Sequence, residues 1–481
     1  MESYDIIAIG GGTAGLVTAA GAAALGAKVA LVEANRLGGE CLWNGCVPSK
    51  ALIACARLAH DARGAARHGI AADVRVDFPT VMAWVHGTQE SIAPNDSPER
   101  FRSLGVDVVR GTARFSGTLS LDVEGRRMHG RHIVIATGSR PSLPPIDGLD
   151  EVPYLTNESI FDIERLPANL IVLGAGPIGL ELAQAFARLG SRVVVLEAAP
   201  ELLPREDHEL ASLLGERLAA EGVAIKLGTK ATSVRRATNG SGSTAAVIVS
   251  VEAAGGVEQT VAQTIEGDAL LVATGRSSNV EQLDAGRAGV ELGKEGIIVD
   301  DRLRTTAGNV WAAGDVTGGM RFTHVADHQA RAVIRNALFP LARAVDYSAV
   351  PWVTFTDPPL AHVGLTEREA RERHGDSVRI WRRRYDDADR AITDGHTAGM
   401  VKLVSTSRGR LLGGHVLGAH ADSAIGEITM AMQNGIPIGG LSRHIRPYPT
   451  YPEATRRAAE EFYKAKLTGI AASVVRWVVR R

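Results

Sequence analysis

Two of the chain's three cysteines stand five positions apart in Gly38-Gly39-Glu40-Cys41-Leu42-Trp43-Asn44-Gly45-Cys46-Val47-Pro48-Ser49-Lys50. Five residues of ideal helix rise about 7.5 Å, more than the roughly 4.4–6.8 Å between Cα atoms that a disulfide tolerates. A bridge from Cys41 to Cys46 therefore requires a distorted first helical turn, and Gly45 supplies the backbone freedom for one. So small a loop restricts the unfolded chain very little, which makes it a poor staple. It suits a reversible redox pair at a helix N-terminus, where the helix dipole lowers a thiol pKa.

The elements that must position this pair begin at residue 4. Tyr4 to Ile9 reads as a strand, Gly10-x-Gly12-x-x-Gly15 opens an alanine-rich helix, and Val29 to Val32 is a second strand ending in Glu33. Set between strand and helix, with an acid 18 residues after its third glycine, the motif reads as a dinucleotide site. The glycines let the backbone approach a pyrophosphate at the helix N-terminus, and Glu33 can accept from a ribose hydroxyl. Leu170-Ile171-Val172-Leu173-Gly174-x-Gly176-x-x-Gly179 repeats the pattern, and Glu197 again follows by 18 residues. Two such units imply two different nucleotides. An acid at the strand end repels a 2′-phosphate, and Ala198-Ala199-Pro200 offers no arginine to hold one, although Arg205 lies nearby. NADH is thus the expected donor, ahead of NADPH.

Between 51 and 110 the pattern is helical, and strands resume from Gly111-Thr112-Ala113-Arg114-Phe115 to Ile133-Val134-Ile135-Ala136-Thr137-Gly138. That last run reads as a parallel strand whose C-terminal end meets a ligand, and Ala273-Thr274-Gly275-Arg276 is its counterpart in the second unit. Asn309 to Asp315 is an apolar strand ending in a carboxylate suited to the hydroxyls of a cofactor's sugar-alcohol chain. From Val350 onward, strands at Val401 to Val404 and Leu411 to Leu417 and a helix around Ser423 to Asn434 read as an α+β unit suited to dimer contact.

A chain of 481 residues has room for about three domains with real cores. Its formal net charge of −1 argues against a nucleic-acid partner. A reversible pair plus a lone Cys55 fits a reducing cytosol. No signal peptide is visible, and no run approaches the eighteen apolar residues of a membrane span. From Lys464 to Arg481 there are five basic residues and no acidic one, interleaved with Ile470, Val474, Val475, Trp477, Val478 and Val479. Such a tail can lie in an anionic membrane interface, so the expected location is cytoplasmic, with peripheral contact at the membrane's inner face.

Taken together, these residues resemble the pyridine nucleotide–disulfide oxidoreductases over nearly the whole chain. Gly39-x-Cys41-x4-Cys46-x-Pro48-x-Lys50 is similar to the segment shared by dihydrolipoamide dehydrogenase, glutathione reductase and mercuric reductase. The resemblance implies an α/β fold with two Rossmann-like domains, for FAD and NAD(P)H, and a C-terminal α+β dimerisation domain. The expected bounds are 1–150 and 277–347 for FAD, 151–276 for NAD(P)H, 348–465 for dimerisation and 466–481 for the tail. It further implies a homodimer with active sites at the subunit interface. Cys46 would lie against the flavin as the charge-transfer thiolate, and Cys41 would be the interchange thiol. Lys50 would sit by the flavin N5, paired with Glu181. Asp315 would hold the ribityl chain, and the backbone of Gly111 to Ala113 would meet the adenine. Thr137 and Gly138 join the FAD set, and Gly275 joins the NAD set. No bound metal is expected.

Disulfide-reducing members mostly carry a His-Pro-x-x-x-Glu segment whose histidine, from the partner subunit, protonates the leaving thiol. Here the segment is Tyr448-Pro449-Thr450-Tyr451-Pro452-Glu453, with a phenol whose ordinary pKa is about 10. His444 stands four residues upstream. The tyrosine, Thr356-Asp357-Pro358 and Asp389-Arg390-Ala391 resemble the mercuric reductase branch, whereas the tail lacks the vicinal cysteines of that branch. The expected activity is a mercuric-reductase-like flavoenzyme passing electrons from NADH through Cys41–Cys46 to a small-molecule or metal-ion acceptor. Alternatives are a quinone or dye reductase with electrons leaving from the flavin, and a dihydrolipoamide dehydrogenase-type disulfide reductase or redox sensor.

Overall fold

Isoleucine and alanine fill both faces of Glu2–Ile9, and Ile6, Ile7 and Ala8 are fully buried. A strand apolar on both faces belongs in the middle of a parallel sheet. In the computed structural model it pairs in parallel with Val29–Glu33 on one side and Arg126–Ile135 on the other. Val106–Arg110 extends the sheet beyond Val29–Glu33, and Val310–Ala312 lies beside Arg126–Ile135. The register sets Ile9 opposite both Val32 and Ile135, and Ala312 opposite Ile135. The C-terminal ends of these strands therefore open together, which gathers Gly10, Glu33, Ala136–Gly138 and Asp315 at one edge.

The structure describes residues 1–237, 247–254, 263–467 and 478–479. They form two compact units, 1–167 with 269–346 and 168–268 with 347–481. The first contains the sheet just described. Helix is not continuous over 51–110, as the sequence pattern suggests. Helices Cys46–Gly64, Phe78–Ile92 and Pro98–Ser103 are followed by the strand Val106–Arg110. A five-residue run rich in β-branched valine has no readable period of its own, and pairing with Val29–Glu33 decides its conformation.

In the second unit Asn169–Leu173, Arg192–Leu196 and Ala224–Lys226 are parallel, and helix Pro177–Leu189 follows the second glycine motif. Thr229–Arg236, Val247–Ala253 and Gln263–Gly267 make an antiparallel sheet. Residues 351–417 supply a five-stranded antiparallel sheet in the order 351–354, 360–364, 411–417, 400–406, 378–384. Helices Ala421–Gln433 and Glu453–Lys466 cover it, burying Val401, Leu403, Val416, Ile428 and Phe462.

Arg188 ties the two sequence segments of this unit together. Its guanidinium bonds Glu221 at 2.7 Å and Asp357 at 2.5 Å, and the Arg188 side chain is only 4% exposed. Burial pushes the Glu221 carboxyl up, but its bonds to Arg188 outweigh that and hold it below the ordinary value.

No helix among the described residues is long and apolar enough to cross a membrane. Most of the basic tail expected over 466–481 lies outside the described residues. Helix Glu453–Lys466 ends where that tail begins, with the Lys466 ammonium over the Phe462 ring.

Candidate active site

Cys41 lies in the short helix Gly39–Trp43, and Cys46 opens the separate helix Cys46–Gly64. The pair thus spans a break between two helices, not a distorted first turn of one. Gly45 caps the second helix with φ −132°, outside the left-handed region. Glycine stands there for space, since a Cβ would lie 3.0 Å from the Glu40 carbonyl oxygen. Gly38 and Gly39 have φ +98° and +56°, and a Cβ on Gly39 would come within 2.6 Å of the Gly12 Cα. The Gly38 N–H also donates to the Gly11 carbonyl at 2.9 Å. These close approaches dock the cysteine segment directly on the first glycine motif.

Cys41 and Cys46 are both thiols in this structure, Cys41 half-buried and Cys46 exposed. The Thr323 hydroxyl donates to Cys41 Sγ at 3.3 Å and lies 3.5 Å from Cys46 Sγ. The hydrogen bond with Cys46, then burial, push the Cys41 thiol well above its ordinary value. Cys46, not Cys41, is the sulfur at the start of a long helix, where a dipole would act.

The glycines of the first motif divide into packed and open positions. Gly10 has φ +109°, and a Cβ on Gly15 would lie 1.8 Å from the Gly10 carbonyl oxygen. A Cβ on Gly12 would find nothing closer than 3.9 Å. Glu33 accepts the N–H of Gly11 at 2.5 Å and that of Asn35 at 2.7 Å. The Gly111 N–H donates to the Glu33 carbonyl at 2.9 Å, and Ala113 begins the next strand, Ala113–Gly117. Thr137 donates from its hydroxyl to the Asn279 carbonyl at 2.6 Å, and Gly138 is left-handed.

Asp315 accepts from the Ser139 hydroxyl at 2.6 Å, and Ser139 accepts from Arg276 Nε at 2.9 Å. Arg276 also bonds Glu40, which accepts from the Asn157 amide as well. This chain of bonds links the residue before Cys41 to the carboxylate expected to hold a sugar-alcohol. Burial pushes the Glu40 carboxyl up, with Arg276 opposing. Sequence reasoning missed Glu40, Ser139, Arg276 and Thr323. The first three lie inside or beside motifs it used, but nothing local marks Thr323.

The second unit repeats the first in detail. Gly174 has φ +101°, a Cβ on Gly179 would lie 2.1 Å from the Gly174 carbonyl oxygen, and Gly176 is open. Glu197 accepts the N–H groups of Ala175 and Ala199, each at 2.8 Å. Glu181 is buried and accepts the Phe355 N–H at 2.8 Å. In the first unit Lys50 is half-buried one turn beyond Cys46, and the Gly275 carbonyl accepts the Ser142 N–H at 2.9 Å.

Tyr448 is 71% exposed, and its hydroxyl donates to Asp389 at 2.8 Å, which pushes the phenol above its ordinary value. Glu453 accepts from Arg456 Nε at 2.9 Å and Arg457 Nε at 3.3 Å, and those arginines hold its carboxyl low. His444 is largely exposed, with Nδ1 3.9 Å from Glu427.

Residues 4–330 match the family described as pyridine nucleotide-disulphide oxidoreductase, and residues 350–459 match the dimerisation domain of that family. The chain belongs to the pyridine nucleotide-disulphide oxidoreductases. It is 37% identical to a mercuric reductase of Streptomyces lividans over 95% of this chain and 96% of that one. A dihydrolipoyl dehydrogenase of Thermus scotoductus is 36% identical over 96% and 98%. Among solved structures it is similar to the HOCl-induced flavoprotein disulfide reductase RclA of Escherichia coli, determined as a Cu(II) complex. That likeness has TM-score 0.84 and 30% identity, covering 96% of this chain and 100% of RclA.

As a pyridine nucleotide-disulphide oxidoreductase the protein is an FAD-dependent enzyme working with NAD(P)H, and its dimerisation domain is that of a homodimer. The residues present fit a dinucleotide. Gly12 is open, at the N-terminus of helix Thr13–Ala24, whose first N–H groups lack helical partners. Gly176 stands in the same relation to helix Pro177–Leu189.

Proposed function

We propose that the enzyme takes hydride from NADH and delivers the electrons through FAD to the Cys41–Cys46 pair, and from there to a thiophilic metal ion. The observation that carries this reading is the dithiol held at the break between two helices, docked on the first glycine motif. FAD would supply two-electron exchange between the nicotinamide and the cysteine pair. Residues 1–150 and 277–347 are assigned to FAD, 151–276 to NADH and 348–465 to the dimer contact.

Glu33 would accept from the adenosine ribose of FAD, the backbone of Gly111 and Ala113 would meet the adenine, and Asp315, steadied by Ser139, would take the ribityl hydroxyls. Thr137 and Gly138 would line the same edge. Lys50 and Glu181 would act beside the flavin. Glu197 would accept from the ribose of NADH, with Gly174, Gly176, Gly179 and Gly275 around its diphosphate. Cys46 would lie against the flavin, and Cys41 would meet the acceptor. Closing the disulfide releases two electrons, with one proton from a thiol–thiolate pair or two from a dithiol, and the two electrons are enough to reduce one Hg(II) to metal or two Cu(II) to Cu(I).

The choice of acceptor follows from Tyr448. A disulfide substrate needs a proton for its leaving thiolate, and a phenol pushed up by Asp389 is a poor donor at neutral pH. A metal ion needs none.

The test is NADH oxidation by FAD-loaded enzyme with Hg(II), Cu(II), oxidised lipoamide, glutathione disulfide or a quinone. Metal-dependent turnover that disappears in Cys41→Ser supports the proposal. Undiminished metal turnover in Cys41→Ser would instead mean that electrons leave from the flavin.

A further inference from the structure

Thr323 is the first residue of helix Thr323–Leu338, and Cys46 is the first residue of helix Cys46–Gly64. Two positive helix ends therefore meet at one pair of sulfurs, and the Thr323 hydroxyl stands between them, 3.3 Å from Cys41 and 3.5 Å from Cys46. A hydroxyl has one hydrogen to donate and can also accept, so at any moment it can donate to only one of the two sulfurs. A bond to a charged partner is worth more than a bond to a neutral one, so the hydrogen points to whichever sulfur is the thiolate.

We propose that Thr323 is a catalytic residue whose hydroxyl follows the negative charge between Cys46 and Cys41 and makes Cys41 available as a thiolate. The inference rests on the reading of Cys41–Cys46 as the working redox pair. In the singly ionised reduced state the proton sits on Cys41 and the charge on Cys46. For Cys41 to attack an electrophile, its proton moves to Cys46 as the Thr323 hydrogen turns from Cys46 to Cys41. No proton is gained or lost, and no other reactant is needed. The neighbouring charged and titratable groups along the chain have partners of their own. Glu40 is bonded to Arg276, Arg321 to the Arg276 carbonyl, and His324 stacks on Phe322. Lys50 lies one turn further along its helix.

Thr323→Val keeps the shape and removes the hydroxyl, and Thr323→Ser keeps the hydroxyl. The measurement is the rate of iodoacetamide alkylation at Cys41 and Cys46 in FAD-loaded enzyme reduced with dithiothreitol, mapped by peptide mass spectrometry across pH. Thr323→Val should alkylate at Cys41 about tenfold more slowly at neutral pH, with the profile displaced to higher pH. Thr323→Ser should stay within about twofold of wild type, on the same warrant. Wild-type rates in Thr323→Val, or a Thr323→Ser as slow as Thr323→Val, would overturn the proposal. If Thr323→Val does not fold, Thr323→Ala takes its place with the same expectations. Chemical reduction separates this test from the parent reading, which fails on its own terms if NADH exposes no new alkylatable thiol at Cys41 or Cys46 in wild type.

Discussion

The Glu197 carboxylate accepts the N–H of Ala175, the residue between the first two glycines of its motif, at 2.8 Å. Glu33 stands in the same relation to Gly11 at 2.5 Å. In both units the acid closing the second strand is fastened to the glycine turn by backbone donors, so its negative charge cannot swing aside. A 2′-phosphate brought against Glu197 should cost on the order of 2 kcal/mol or more, a factor of roughly thirty. Steady-state kcat/KM for NADH should exceed that for NADPH by at least about tenfold, and Glu197→Ala should narrow the gap. Equal efficiency in wild type would show that the fixed carboxylate does not select the nucleotide.

Flavin content tests the first cradle. A Cβ at Gly15 would overlap the Gly10 carbonyl, so Gly15→Ala must shift the turn and should yield protein without flavin absorbance. Asp315→Ala removes the carboxylate proposed to accept from the ribityl hydroxyls, and should weaken FAD retention on dilution. The wild-type enzyme, partly reduced, should show a long-wavelength thiolate-to-flavin band. Cys46→Ser should lose it. A band that survives in Cys46→Ser would assign the flavin-facing sulfur to Cys41.

The proposed role of Tyr448 in setting the reaction class is tested with disulfide substrates. Positioned general acids contribute about 10²–10⁴-fold, and a phenol held up by Asp389 stays protonated through neutral pH and beyond. Lipoamide and glutathione disulfide should therefore turn over slowly in wild type. Tyr448→His should raise disulfide reduction while leaving NADH-to-dye activity near wild type. Rapid wild-type turnover of oxidised lipoamide would point to His444 of the partner subunit as the acid.

Arg188 predicts both stability and its pH dependence. Arg188→Met takes the shared cation away from Asp357 and the buried Glu221 side chain and leaves Glu221 with Arg217, at 2.9 Å, and breaking a buried pair costs up to about 3–5 kcal/mol. A lower melting temperature at pH near neutrality is the expected readout. The sign with pH follows from Glu221, whose folded carboxyl is held below its ordinary value because burial, which raises it, is outweighed by its bonds, chiefly to Arg188. A depressed carboxyl stabilises the fold above its unfolded value, and that contribution is lost as pH falls through the folded one. The difference in melting temperature between wild type and Arg188→Met should therefore shrink in acid. A difference that stays constant from neutral to acid pH would contradict the assignment.

Short-range sequence determined the parts of this protein whose physics is local. Two strand–glycine–helix units with acids at matched spacing were legible because a tight turn admits only glycine at Gly10 and Gly174, where φ exceeds +100°. The cysteine segment was legible because its thiols lie a few residues apart. Tyr448 stood out because its neighbours formed a recognisable frame. The tertiary structure decided what depends on distant chain meeting. It placed Thr323 between sulfurs some 280 residues away in sequence, and it built the Glu40–Arg276–Ser139–Asp315 bonds from four separate segments. It made 106–110 a strand, because a five-residue valine run takes its conformation from the strand it pairs with. It also raised the Cys41 thiol, because the hydrogen bond with Cys46 and then burial favour its neutral form.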